Sequence, residues 1–128
     1  MFFNQANMKK VLVIEDALQI RENIAEYLEL KQYTVTTAAD GAQGWQLIQS
    51  DPPDLVICDV KMPKLSGFQL KAKLNEQTHL SRIPFIFLTA AAQKKDIEQG
   101  RALGAIAYMT KPFQMNELMD WVEQLLGK

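Results

Sequence analysis

Three short runs in this chain, "VLVI" at 11–14, "LVIC" at 55–58 and "FIFLT" at 85–89, are apolar almost throughout and then stop on a polar side chain. A strand with one wet face alternates apolar and polar residues, so a run without alternation must be covered on both faces. Two further strands are expected from "YTVTTAAD" and "AIAYM". Between the strands the apolar period changes to that of a helix: Ile20, Ile24 and Leu28, then Trp45 and Ile48, then Leu70 and Leu74. "QKKDIEQGRALG" reads as a weakly amphipathic helix closed by Gly104, and Met115, Leu118, Val122, Leu125 and Leu126 line a last one. "DPPD" at 51–54 cannot lie inside a helix, Asp40-Gly41 opens one, and "HLSRIP" reads as a plain connection. Strict strand-helix alternation implies an α/β fold with a parallel sheet covered on both sides. Five units are too few to close an eight-stranded barrel, which leaves an open, doubly wound sheet.

Composition narrows the function. A chain of 128 residues is expected to form a single domain, 1–128, with residues 1–8 a flexible leader. The net charge of −1 advertises neither nucleic acid nor an anionic membrane, and Lys94-Lys95 is too short a basic run to change that. The one cysteine, Cys58, lies inside an apolar run and reads as a small buried side chain. No stretch approaches a membrane span, and "MFFNQANMKK" lacks the apolar core of a signal peptide, so a cytoplasmic chain is expected. His79, the only histidine, falls in the "HLSRIP" connection with no partner motif around it.

In an open α/β sheet ligands bind at the carboxyl ends of the strands. Here the first strand ends on Glu15 and Asp16, the third on Asp59, the fourth on Thr89, and the fifth runs into Thr110, Lys111 and Pro112. Three carboxylates at one rim repel each other unless a cation joins them. All the donors are oxygen, so a hard ion, Mg²⁺ or Mn²⁺, suits the set better than zinc. Lys111 adds an ammonium and Thr89 a hydroxyl, both suited to phosphate oxygens. A carboxylate nucleophile, a divalent ion and two donors are the parts that phosphoryl transfer to an aspartate requires. Taken singly, each residue has a plain reading: an acid at a strand end caps a helix or makes a turn, and a lysine is solvated.

As a set, the acidic pair in "VLVIED", "DVKMPKLSG", Thr89-Ala90 and "GAIAYMTKPF" resemble the receiver domains of bacterial two-component response regulators, from about Lys10 to Leu126. The resemblance implies the flavodoxin-like strand order 2-1-3-4-5. It implies that Asp59 accepts a phosphoryl group from a histidine kinase or histidine phosphotransfer protein, and that the chain is a switch rather than an enzyme. Asp16 and Asp59 would bind the metal directly, Glu15 through water, and the backbone carbonyl of Lys61 would complete the protein ligands. Lys111 and Thr89 would hold phosphoryl oxygens, and Lys111-Pro112 looks like the family's cis peptide. Thr89 and Tyr108 would be the switch pair, both moving inward on phosphorylation, and an unknown downstream protein or output domain would read the 93–126 face.

Three departures matter. Ile106 and Ala107 stand where many relatives carry acids, which predicts an apolar contact patch in place of a charge-paired one. Ala91 cannot hold an attacking water, which predicts a slowly decaying phosphoryl form, and Lys61 occupies the other position that tunes this lifetime. The sequence fits both a free-standing receiver and a piece of a larger regulator. Among rival functions, an aspartyl phosphatase wants an acid where Lys61 stands, and a nucleotide or flavin module wants a glycine-rich loop after the first strand, where this chain is acidic. A receiver that has lost phosphorylation would lack part of the acid, threonine and lysine set.

Overall fold

Residues 8–127 are described by a computed structural model. The elements are β1 Lys10–Ile14, α1 Leu18–Leu30, β2 Thr34–Ala38, α2 Gly41–Ser50, β3 Leu55–Cys58, α3 Gly67–Asn75, α4 Thr78–Ser81, β4 Phe85–Thr89, α5 Lys94–Ala102, β5 Ala107–Thr110 and α6 Met115–Leu126. The strands pair in parallel in the order β2-β1-β3-β4-β5, as expected for the flavodoxin-like fold. Apart from Met8, the leader expected over 1–8 lies outside the described residues.

One expectation needs correcting. The alternation is not strict, because "HLSRIP" carries part of α4, a single helical turn. Leu80, 1% exposed, pins the turn to the core, and the Leu80 and Ser81 amides donate to the Gln77 carbonyl at 3.0 and 2.8 Å. So short an apolar signal, one leucine among polar residues, is below what periodicity can register. His79 rides on this turn and is exposed.

Each central strand sends alternate side chains to opposite faces. Val11, Val13, Leu55, Ile57, Ile86 and Leu88 meet Ile24 and Leu28 of α1 and Leu118, Met119 and Val122 of α6. Leu12, Ile14, Val56, Cys58, Phe85 and Phe87 meet Ile48 of α2, Leu70 and Leu74 of α3 and Leu80 of α4. Both cores are apolar, which is why the central runs show no alternation. β2 lies at an edge, and only its last residue, Ala38, is fully buried. Helix starts are fixed locally. Asp40 Oδ1 accepts from the Gln43 amide at 2.8 Å, and Ser66 and Gln69 form a reciprocal capping box at α3. Gly104 follows α5 with φ +95°, a left-handed turn that costs a glycine little and suits its expected capping role.

Candidate functional site

The hydrogen-bond ladder runs one step beyond the strands, and that step builds the site. Past β1, the Glu15 amide donates to the Ala38 carbonyl at 3.0 Å; past β3, the Asp59 amide donates to the Ile14 carbonyl at 3.0 Å; past β5, the Lys111 amide donates to the Thr89 carbonyl at 2.9 Å. Residues distant in sequence are thereby held at one rim of the sheet. One carboxylate oxygen from each of Glu15, Asp16 and Asp59 lies within 4.8 Å of the others. Glu15 and Asp59 are buried and Asp16 is exposed.

Lys111 joins two of these acids. Its Nζ donates to Glu15 Oε1 at 2.6 Å and to Asp59 Oδ2 at 3.0 Å. The Lys111-Pro112 peptide is cis, as expected. Burial pushes the Glu15 carboxyl above its ordinary pKa, against the opposing hydrogen bonds from Lys111 and from the Ala17 amide. Burial also works against the Lys111 charge, yet its bonds to Glu15 and Asp59 prevail and hold its pKa above the ordinary lysine value. Asp59 Oδ1 accepts from the Val60 amide at 2.6 Å, so both of its oxygens are oriented.

The donor set fits a hard divalent ion: three carboxylates at ligand spacing, with the lone thiol of Cys58 buried in the core and pushed well up in pKa by that burial. Both Glu15 oxygens are already engaged by Lys111 and by the Ala17 amide. Asp16 caps nothing: α1 begins after Ala17 without any side-chain cap bond, so the plain reading of Asp16 as a helix cap does not hold. Lys61, two residues past Asp59, has an exposed side chain and lines an open groove with Asp16, Met62 and Asp96.

Thr89 and Tyr108 meet at Ala91 rather than at the carboxylates. Thr89, 1% exposed, accepts from the Ala91 amide through Oγ1 at 3.1 Å, and the Tyr108 hydroxyl donates to the Ala91 carbonyl at 2.5 Å. Sequence reasoning missed three contributors: the Val60 amide, Arg21, whose Nη1 donates to the Glu15 carbonyl at 2.8 Å, and Gly67. The Gly67 amide donates to the Val60 carbonyl at 2.8 Å, and a Cβ there would stand 2.1 Å from the Asp59 carbonyl oxygen. Only the glycine closing "DVKMPKLSG" carried any sequence signal. A backbone donor and a helix arginine have none.

With this geometry in place, the family profile described as the response regulator receiver domain matches residues 11–123. The chain belongs to that family. Among receiver relatives, the response regulator Rre1 of Synechocystis is 34% identical over 119 residues, covering 92% of this chain and 52% of its own length. The Francisella response regulator 1452 receiver domain superposes with a TM-score of 0.86 at 32% identity, covering 92% of this chain and 96% of that one. The receiver domain of the Pseudomonas aeruginosa sensor histidine kinase PA1611, a structure with magnesium coordinated in its active-site cleft, superposes with a TM-score of 0.81 at 29% identity, covering 94% and 99%. This receiver spans about half the length of the curated relatives it matches. Receivers are the phosphoryl-accepting switches of two-component signalling. Among the described residues of this one, no helix is long and apolar enough to cross a membrane.

Proposed function

We propose that Asp59 is the phosphoryl acceptor of a cytoplasmic switch, charged by a histidine kinase or histidine phosphotransfer protein and read by a downstream protein or output domain. The observation that carries this reading is the Lys111 ammonium bonded to Glu15 and Asp59 at once, beside a three-carboxylate cluster. In the transfer an Asp59 oxygen forms a bond to phosphorus while the phosphorus-nitrogen bond of a phosphohistidine breaks, and the imidazole leaves with that electron pair. The Val60 amide and Lys111 orient the attacking carboxylate. Lys111 then offers its proton-rich head to a phosphoryl oxygen, and Thr89 offers its hydroxyl proton, which the bond accepted from the Ala91 amide does not use. Asp16 and Asp59 would hold Mg²⁺ directly, Glu15 through water, and the Lys61 carbonyl would add a ligand. Bound there, the ion supplies positive charge that offsets the carboxylates and the incoming phosphoryl group.

Catalysis on this reading is confined to the chain's own phosphorylation and its loss. Ala91 presents only a methyl group, which favours a slowly decaying phosphoryl form. The output face is the 93–126 surface, where Ile106 is 48% exposed in a groove of mixed character that it shares with Arg101, Phe113, Glu117 and Trp121. Incubation with Mg²⁺ and acetyl phosphate tests the acceptor. Intact-mass analysis should show one phosphoryl adduct on the wild type and none on Asp59→Asn. An adduct on both, or catalytic turnover of unrelated phosphate esters, would remove the reading.

A further inference from the structure

The Tyr108 ring occupies space that α5 leaves open at a single residue. Gly100 is the only fully buried position of α5. A Cβ built on it would stand 2.6 Å from Tyr108 Cδ2 and 2.8 Å from Cε2, with Phe87 Cδ2 next at 3.2 Å. The first two distances are far inside van der Waals contact, so a methyl group and the ring cannot share the space. The ring borders both this gap and Phe87, its centroid 5.8 Å from that of Phe87, and from there its hydroxyl reaches the Ala91 carbonyl. Ala91 is also the residue whose amide donates to the Thr89 hydroxyl oxygen.

We propose that Gly100 is a positioning residue for the switch: its missing side chain is the seat of the inward Tyr108 ring, and any Cβ at 100 turns that ring out. This rests on the reading of Tyr108 and Thr89 as the switch pair coupled to Asp59. Of the two groups the Cβ would meet, the tyrosine yields. Phe87 is fully buried among core side chains, whereas Tyr108 is only partly buried and lies on the strand at the sheet's edge. α5 has little freedom to lift instead, since its end is tied down by the Ala105 amide on the Gly100 carbonyl at 3.2 Å and the Asn75 side chain on the Leu103 carbonyl at 2.8 Å. Coupling between sites is reciprocal. If an anion on Asp59 favours the inward ring, denying the ring its seat must weaken anion binding at Asp59.

The test uses ring-labelled tyrosine and NMR. The chain has three tyrosines, and Tyr108→Phe assigns the signal that matters. In wild type the Tyr108 ring should show contacts to Phe87 and a hydroxyl proton protected from exchange. In Gly100→Ala both should vanish, and beryllofluoride with Mg²⁺, a phosphoryl mimic, should bind about tenfold more weakly. In a Tyr108→Ala background the added Gly100→Ala should change beryllofluoride affinity by less than about twofold. An unchanged Tyr108 signal in Gly100→Ala overturns the proposal, as does a full affinity loss that persists in the double variant. If Gly100→Ala fails to fold, the double variant should fold, because the ring that the Cβ meets is gone; failure of both also overturns it. The ring measurements need no anion, so a wild type that binds no beryllofluoride defeats the acceptor reading of Asp59 without touching the result on the seat.

Discussion

At the scale of single residues, Lys111 has the most consequences. With 17% of its side chain exposed, its ammonium is shared by two carboxylates that are 3% and 8% exposed, so losing it leaves two buried like charges facing each other. Lys111→Met keeps the aliphatic stem and should lower stability in EDTA by about 3 kcal/mol at pH 7, read by urea unfolding. The pH dependence has a definite sign. Burial raises Glu15 above its ordinary 4.5, so the folded chain takes up that proton before the unfolded chain does, and its contribution to stability is full below 4.5 and declines as pH rises through the folded value. The deficit of Lys111→Met should therefore shrink as pH falls from 7 toward 4.5. A deficit independent of pH would mean that the ammonium does not control this pair. Lys71 is the residue the sequence misrepresents most. It is 2% exposed, its Nζ donates to Asn75 Oδ1 at 2.6 Å and lies 5.9 Å from the Phe85 centroid, and burial lowers its pKa. A lysine on an amphipathic helix reads as solvated because pattern analysis scores its charge and not its four-carbon stem. Asn75→Ala should cost about 1–2 kcal/mol in urea unfolding, and adding Lys71→Met should recover only the part due to the stranded charge, since the bond from Asn75 to the Leu103 carbonyl stays lost.

Among the elements, α3 governs the acceptor loop. Its capping box fixes where the helix begins, and its first residue, Gly67, packs directly on the backbone of Asp59 and Val60. Gly67→Ala would drive a methyl group into a carbonyl oxygen that cannot rotate away, so α3 must retreat from the end of β3. A loss of about 2–3 kcal/mol in urea unfolding is expected, together with slower phosphorylation by acetyl phosphate, since the Val60 amide that orients Asp59 moves with the loop. Full stability with a full phosphorylation rate would show that α3 is not the support. The central strands were readable because burial on both faces leaves an unmistakable apolar run. α4 was not, because one leucine is its only buried residue, and nothing in "HLSRIP" distinguishes an anchored turn from a loop.

For the molecule as a whole, an ion held by the three carboxylates of the rim would make folding and ion binding one equilibrium. An ion that binds only the folded chain adds RT ln(1 + [ion]/Kd), about 2.7 kcal/mol at a hundredfold excess over Kd. Melts across a Mg²⁺ series should climb with the logarithm of concentration in wild type and stay nearly flat in Asp16→Asn, whose exposed carboxylate makes no cap bond that its loss would disturb. Equal climbs in both would place the ion elsewhere. Apolar periodicity and the residue on which each run stops are enough to read the five strands, their parallel sheet and the polar strand ends, with the single turn of α4 escaping them. The folded arrangement was needed to see that Lys111 bridges Glu15 and Asp59, that Thr89 and Tyr108 converge on Ala91, and that Gly100 and Gly67 hold open the spaces these arrangements need. The reason is one of range: periodicity records which side of an element faces water, whereas a hydrogen bond or a missing methyl group matters only through a neighbour that the chain brings alongside after folding.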